Sequence, residues 1–144
     1  MLTAGQTSKK VIAVRPAAIV DNASFTSYVI DTMGFAALDV DVILGATDIA
    51  LTALKLQESE TQTDATTLGG TPVDITGAIF GTSLGISGDA STLPSATDDN
   101  KVFSFNVDLR GRKRFIKLVA TIGDGTAGGY VTALATLSHA ETQP

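Results

Sequence analysis

The alternation of apolar and polar residues along residues 101–122 constrains the fold more than any other feature of this sequence. Phe103, Phe105 and Val107 alternate with polar residues, which is typical of a strand that buries one face. The alternation resumes at Phe115 and continues to Ile122. A glycine among charges separates the two runs. The pattern therefore predicts two strands joined as a hairpin, with residues 110–114 as its turn.

The predicted turn concentrates positive charge in an acidic chain. The sequence has 10 Lys and Arg residues against 15 Asp and Glu, for a formal net charge of −5. Half of these basic residues lie within one short stretch: Arg110, Arg112, Lys113, Arg114 and Lys117. One interpretation is a solvated turn that keeps a sheet edge soluble. The other is a docking site, in which arginine forks bind acids such as Asp39 or Asp41 on a neighbouring strand or subunit.

The composition excludes several classes of protein. The chain has 144 residues, which suits one domain. It has no cysteine, which rules out disulfides, thiol catalysis and cysteine metal sites. No run of 18 apolar residues exists, so no membrane-spanning helix is expected, and the N-terminus is a poor signal peptide. The acidic net charge argues against nucleic acid as a partner.

About eight strand patterns, separated by turn signals, predict an all-β protein. The cleanest alternation runs through residues 35–45, where Leu38 and Val40 face away from Asp39 and Asp41. We expect a single-domain antiparallel β-sandwich that is jelly-roll-like, with an immunoglobulin-like sandwich as the alternative. In such a sandwich, residues 35–45 would form a non-local pair with residues 115–122.

The sequence divides into three predicted regions. Residues 1–22 are expected to form an extended N-terminal arm, because Pro16 interrupts their only apolar run. Residues 23–138 are expected to form the β-sandwich domain, beginning with a strand at residues 23–32. Residues 139–144 are expected to form a C-terminal tail.

Nothing in the sequence forms a catalytic or metal-binding motif. Asp39 and Asp41 share one strand face, but a hard cation needs six or more oxygen ligands, usually from loops. The glycine-rich residues 123–129 lack the lysine and the following helix of a phosphate loop. His139 is the only histidine, so a histidine metal site or a catalytic triad would lack its other members. We therefore predict no enzymatic activity, no metal and no cofactor.

Three segments carry a resemblance to a known family. They are residues 30–35 (IDTxGF), residues 54–59 (LKLQES) and residues 107–119 (VDLRGRKRFIKLV). Together with the alternating strands between them, they resemble head decoration, or cement, proteins of tailed bacteriophages and prophages. The resemblance covers residues 23–138, and the Arg-Gly-Arg-Lys-Arg block is its most specific part.

The resemblance implies a non-enzymatic virion protein with a jelly-roll-like sandwich. It implies a homotrimer that decorates the capsid exterior, bridges neighbouring major capsid proteins and assembles in the host cytoplasm. The alternative is a receptor- or carbohydrate-binding module of a phage tail or fibre. The residues predicted to contact a partner are the basic side chains of the arm and the turn: Lys9, Lys10, Arg15, Arg110, Arg112, Lys113 and Arg114.

Overall fold

The computed structural model describes residues 7–75, the backbone of residues 79–80, and residues 93–140. Every described strand pairing is antiparallel, and the described residues contain no helix. The eleven strands are β1 (Lys9–Val14), β2 (Ile30–Asp31), β3 (Phe35–Thr47), β4 (Leu51–Ser59), β5 (Gln62–Asp64), β6 (Thr67–Leu68), β7 (Val73–Asp74), β8 (Ile79–Phe80), β9 (Val102–Asp108), β10 (Phe115–Ile122) and β11 (Gly129–Ala140). No described helix is long and apolar enough to cross a membrane.

The strand pairs are nested. β1 pairs with β11, β2 with β10, β3 with β9, and β4 with β7. Two further pairings, β11 with β3 and β10 with β4, join these strand pairs into two sheets. The large sheet has the strand order β1-β11-β3-β9-β8, and the small sheet has the strand order β2-β10-β4-β7. This is the strand order of a jelly roll, so the predicted jelly-roll-like sandwich is confirmed over the immunoglobulin-like alternative.

The core lies between the two sheets and is built from the predicted alternations. β3 contributes Val40 and Val42, β9 contributes Phe105, and β4 and β10 contribute Leu56 and Leu118 from the other side. All five side chains are almost fully buried. Burying one such side chain stabilises the fold by roughly 1.5–3 kcal/mol, so the period-two pattern decides which face of each strand turns inward.

The predicted hairpin at residues 101–122 is wrong. β9 pairs with β3 and β8 in the large sheet, whereas β10 pairs with β4 and β2 in the small sheet. The connection at residues 109–114 therefore crosses from one sheet to the other. The predicted pair between residues 35–45 and residues 115–122 is wrong for the same reason, because β3 and β10 belong to different sheets. β9 and β10 were each correctly predicted as strands, but local alternation does not reveal which strand lies beside another.

The predicted arm is also corrected in its described part. Lys9–Val14 forms β1, an edge strand of the large sheet, and Val20 forms a bridge to Gly129. The boundary at residue 22 thus does not separate an arm from the sandwich. Residues 23–32 form isolated bridges and only the short strand β2. β11 continues to Ala140, so the tail is shorter than predicted; residues 1–6 and 141–144 lie outside the described residues.

The glycine-rich loop at residues 123–128 is closed by a carboxylate of the same chain. Asp48 accepts hydrogen bonds from the backbone N–H groups of Thr126 (2.9 Å), Ala127 (2.7 Å) and Gly128 (3.0 Å). These bonds, that from Ala127 foremost, hold the pKa of Asp48 below its usual value. Gly128 has a φ of 88°, and a Cβ at this position would overlap the carbonyl oxygen of Val20. The loop is an anion-binding turn whose anion is the side chain of Asp48.

We expect Asp48→Ala to lower the melting temperature, because three backbone donors lose their common acceptor. Asp124→Ala, in the same loop, is the matched control and should leave the melting temperature unchanged. Differential scanning calorimetry of both variants measures the effect. Equal losses in the two variants would contradict a role for Asp48 in closing the loop.

Candidate functional site

The fold brings most of the predicted contact residues to one end of the sandwich. The connection at residues 109–114 lies there, together with the start of β1 and the end of β11, as the strand registers show. We call this the basic end. Lys9 and Lys10 begin β1 and so lie near it. Arg15 follows the far end of β1, where its guanidinium lies 4.7 Å from the centre of the Tyr28 ring.

Arg114 links the connection to β2. Its Nε and Nη2 donate to the two carboxylate oxygens of Asp31, at 2.9 and 2.8 Å. Its guanidinium also lies 4.8 Å from the centre of the Phe115 ring. The bond from Arg114, opposed by partial burial and aided by the backbone N–H of Met33, lowers the pKa of Asp31. Lys9 adds a smaller effect in the same direction.

Arg112 and Lys113 bind a carboxylate of β4 that is nearly buried. Nη1 of Arg112 lies 3.4 Å from Oε1 of Glu58, and the backbone N–H of Lys113 donates to Oε2 at 3.1 Å. Only 10% of the Glu58 side chain and 20% of the Arg112 side chain are exposed. Gly111, with a φ of 80°, permits the turn that aims both donors at Glu58. This cluster fastens the connection to the small sheet.

Arg110 forms the most exposed of the three arginine pairs. Its Nη2 lies 2.6 Å from Oδ2 of Asp108, and its backbone N–H donates to Oδ1 of the same residue. The side-chain bond from Arg110, followed by this backbone bond, lowers the pKa of Asp108 to about 2. Arg110 thus binds the carboxylate at the end of its own strand, β9.

Each arginine of the turn therefore has an acidic partner on its own chain. The partners are Asp108, Glu58 and Asp31, and not Asp39 or Asp41 as the sequence suggested. Sequence reasoning missed Glu58 and Asp31 because they face the turn only once β10 pairs with β4 and β2. Contact between the basic residues and another protein stays a prediction. The side chains of Arg110 and Arg114 are 77% and 46% exposed, so both could reach another protein.

The outer face of the large sheet is a second candidate site, which sequence reasoning did not single out. Its exposed apolar side chains come from four adjacent strands: Ile12 of β1, Tyr130 and Leu134 of β11, Ile43 of β3 and Val102 of β9. The signal was present in the alternation, because Ile43 lies between the inward-facing Val42 and Leu44. Whether such outward-facing apolar residues form one surface depends on which strands are neighbours, and the alternation does not reveal this.

Two depressions lie on this outer face. One, of about 380 Å³, is lined by residues that include Asp39, Asn106, Asp108 and His139. The other, of about 300 Å³, is lined by apolar residues that include Ile43 and Tyr130. Within the described ranges, no group of three or more acidic, histidine or cysteine side chains is arranged to hold a metal ion.

Asp39 and Asp41 lie on this face without an ion-pair partner among the described residues. Partial burial raises the pKa of Asp39, and the neighbouring charge of Asp41 raises it further, while His139 opposes both effects. Ser104 of β9 donates to Asp41 at 2.7 Å. The face thus combines an apolar surface with two acids that form no ion pair among the described residues, and Arg110 lines the same depression as Asp39.

The outer face of the small sheet differs in character. Lys55 and Gln57 of β4 both bind the carboxylate of Asp74 on β7. Lys117 of β10 donates to the carbonyl oxygen of Thr66, between β5 and β6, so this short hairpin lies against the small sheet. This outer face therefore carries charged and amide side chains where the large sheet carries apolar ones.

Comparisons with known proteins leave the family open. No family model matches the sequence, and no curated protein matches it. Among solved structures, the crystal structure of the SPBc2 prophage-derived protein YomS is similar, with a TM-score of 0.48 and 14% identity over 92% of this chain and 93% of that one. A similarity at this level does not carry an assignment of family or function.

We expect Arg112→Ala to lower the free energy of unfolding by about 2–3 kcal/mol, because it leaves the nearly buried carboxylate of Glu58 without its cation. Arg110→Ala is the matched control in the same connection, and its exposed pair should contribute little. Urea denaturation followed by circular dichroism measures both. Equal, small effects would show that the connection is not fastened through Glu58.

We expect stability to fall with pH below about 4, because Asp108 titrates near 2 in the folded state against 3.8 when unperturbed. A carboxyl with a lowered folded pKa stabilises the fold fully above its unfolded pKa. That contribution is lost as the pH falls toward the folded pKa, since the unfolded chain then binds more protons. Urea denaturation between about pH 5 and pH 2 measures the slope.

Asp108→Asn should make this slope shallower, because the substituted side chain no longer titrates. Asp124→Asn serves as the control and should keep the slope of the unaltered protein. Identical slopes for all three proteins would contradict the assignment to Asp108.

Proposed function

We propose that this protein is a non-enzymatic virion structural protein of a phage, which decorates and stabilises the capsid exterior by bridging neighbouring major capsid proteins. It acts as a homo-oligomer, without cofactor, membrane or nucleic acid. The capsid is the surface on which it assembles, and its location is the virion.

The observation that supports this function best is the uncovered apolar outer face of the large sheet. Of the eight large apolar side chains exposed in the described residues, five lie on this face. A contiguous apolar surface exposed to water is costly, and a protein that keeps one usually covers it with another protein. The opposite outer face has paired polar groups, so one side of the sandwich is suited to solvent and the other to a protein.

A bridging role needs more than one contact surface, and the basic end supplies a second. Lys9, Lys113 and the exposed guanidinium groups of Arg110 and Arg114 lie at this end, on an otherwise acidic protein. The ion pairs with Asp108 and Asp31 hold these guanidinium groups in defined positions. Side chains fixed before binding lose less conformational entropy when they meet a partner.

The jelly roll supplies the rigidity that such a protein needs. Its outer faces are fixed by strands that pair along most of their length, so contact residues keep their spacing. Copies held on a repeating lattice combine weak contacts through high effective concentration. The link to a phage capsid rests on the resemblance of residues 23–138 to decoration proteins.

We expect the purified protein to co-sediment with capsids of the phage that encodes it and to raise their melting temperature. Lys9→Ala combined with Lys113→Ala should weaken this binding roughly tenfold, because exposed charge pairs contribute about 0.5–1 kcal/mol each. Lys101→Ala, near the opposite end of the sandwich, is the matched control and should bind as the unaltered protein does.

The result that would overturn the proposal is a lack of binding by the unaltered protein to capsids that lack it. Specific binding to a glycan array, with no capsid binding, would instead favour the receptor- or carbohydrate-binding alternative. A mobility shift of free DNA would contradict the absence of nucleic acid among its partners.

A further inference from the structure

One acid and one basic residue of the large sheet's outer face lie in one row across the strands. Lys10 of β1 is opposite Thr136 of β11, which is opposite Asp39 of β3, which is opposite Asn106 of β9. Residues directly opposite one another point to the same side of a sheet. Lys10 and Asp39 therefore lie on the same face, each one strand away from β11.

The next row along the strands has apolar residues on β1 and β11. Ile12 is opposite Leu134, and Leu134 is opposite Asp41. Ile12 is 48% exposed and Leu134 is 36% exposed. β11 thus forms the middle of a patch with a cation on one side, apolar side chains along its centre and two acids on the other side.

This arrangement is complementary to itself. A two-fold axis that runs along β11, in the plane of contact, places β1 of one copy over β3 of the other. Because Lys10 and Asp39 occupy the same row at equal distances from β11, each Lys10 then faces an Asp39, and the contact occurs twice. A contact of this kind, in which the same patch serves both copies, is the usual form of a two-fold interface.

We propose that the β1–β11–β3 part of the large sheet's outer face is covered by the same part of a second copy of this chain. Leu134 lies on the axis and meets Leu134 of the second copy, with Ile12 beside it. Lys10 reaches the depression lined by Asp39 and Asn106 on the facing sheet. The two sheets stack at roughly 10 Å, as the two sheets do inside a β-sandwich.

The charges favour this occupant over a purely apolar one. Asp39 has no cation within ion-pair distance among the described residues, and burial together with Asp41 disfavours its charged form. A lysine from the second copy supplies the missing counter-charge. An apolar partner would bury Asp39 without one, which is costly.

The available contact area suits a weak dimer rather than a permanent one. With the axis along β11, the strands that overlap are β1, β11 and β3 of each copy. Three strands about 4.8 Å apart give a width of roughly 14 Å, and the six residues of β1 give a common length of roughly 20 Å. The flat area comes to roughly 600 Å² over both copies, below the roughly 1,200 Å² of a stable specific interface. We therefore expect a weak dimer that forms only at high protein concentration. The resemblance to phage decoration proteins implies a trimer, whereas this face supports a dimer.

The inference deepens the proposed function, in which the protein is a homo-oligomer, but it is tested without capsids. Sedimentation equilibrium over a range of concentrations should show a reversible monomer–dimer equilibrium for the unaltered protein. Leu134→Lys should weaken the dimer at least about tenfold, because it places two lysines together on the axis. Val73→Lys, at an exposed apolar position of the small sheet, is the matched control and should leave the equilibrium unchanged.

A charge exchange tests the facing pair itself. Lys10→Glu alone and Asp39→Lys alone should each weaken the dimer, since each places like charges opposite one another. The two changes combined should restore it, because the pair is re-formed with its charges reversed. Circular dichroism spectra and melting temperatures identify any variant that fails to fold.

A strictly monomeric protein, a trimer without a dimer, or a dimer unaffected by Leu134→Lys would each overturn the inference. Loss of the dimer in the single charge variants without recovery in the combined one would overturn the Lys10–Asp39 contact. A dimer that does not bind capsids would defeat the proposed function and leave this inference standing. Capsid binding by a trimer that forms no such dimer would do the reverse.

Discussion

Burial of the inner faces of the two sheets is the constraint on which the structure depends. Each sheet has an apolar inner face, and neither inner face can be shielded from water without the other sheet. The chain must therefore pass repeatedly from one sheet to the other, as it does between β3 and β4, between β9 and β10, and between β10 and β11. Each passage takes polar backbone past the rim of an apolar core, where its donors and acceptors need partners. The carboxylates of Glu58 and Asp48 accept from backbone N–H groups at two of these passages, from Lys113 and from residues 126–128.

The dense basic block acquires a structural meaning from this constraint. As a hairpin turn it would have had no need of specific acids. As a bridge between sheets it binds β4 through Glu58 and β2 through Asp31, while Asp108 secures the end of β9. The same guanidinium groups remain partly exposed, so a role in holding the sheets together and a role in contacting another protein do not exclude each other. The basic block therefore holds the two sheets together and also keeps exposed positive charges in fixed positions.

The sequence predicted the elements well and their neighbours poorly, for a physical reason. Alternation along β3, β9 and β10 reports which side of each strand meets the core, because burial acts on one residue at a time. Pairing depends on residues distant in the sequence, such as Lys10 and Thr136, which are 126 positions apart and have no local signature. The candidate surfaces followed the same rule. The basic turn was visible as a run of charges, whereas the apolar outer face became visible only when Ile12, Leu134 and Ile43 were brought side by side.

The position of β11 between β1 and β3 has a consequence for how the chain folds. This strand follows all the others described, yet both of its edges are occupied in the large sheet. Until it has been synthesised, β1 has no partner in that sheet and β3 lacks one of its two neighbours. Pairings that span most of the chain require the closure of long loops, which slows folding. A nascent chain of this protein therefore carries unpaired strand edges late into synthesis, and its folding is expected to be slow and exposed to edge-to-edge aggregation until β11 is inserted.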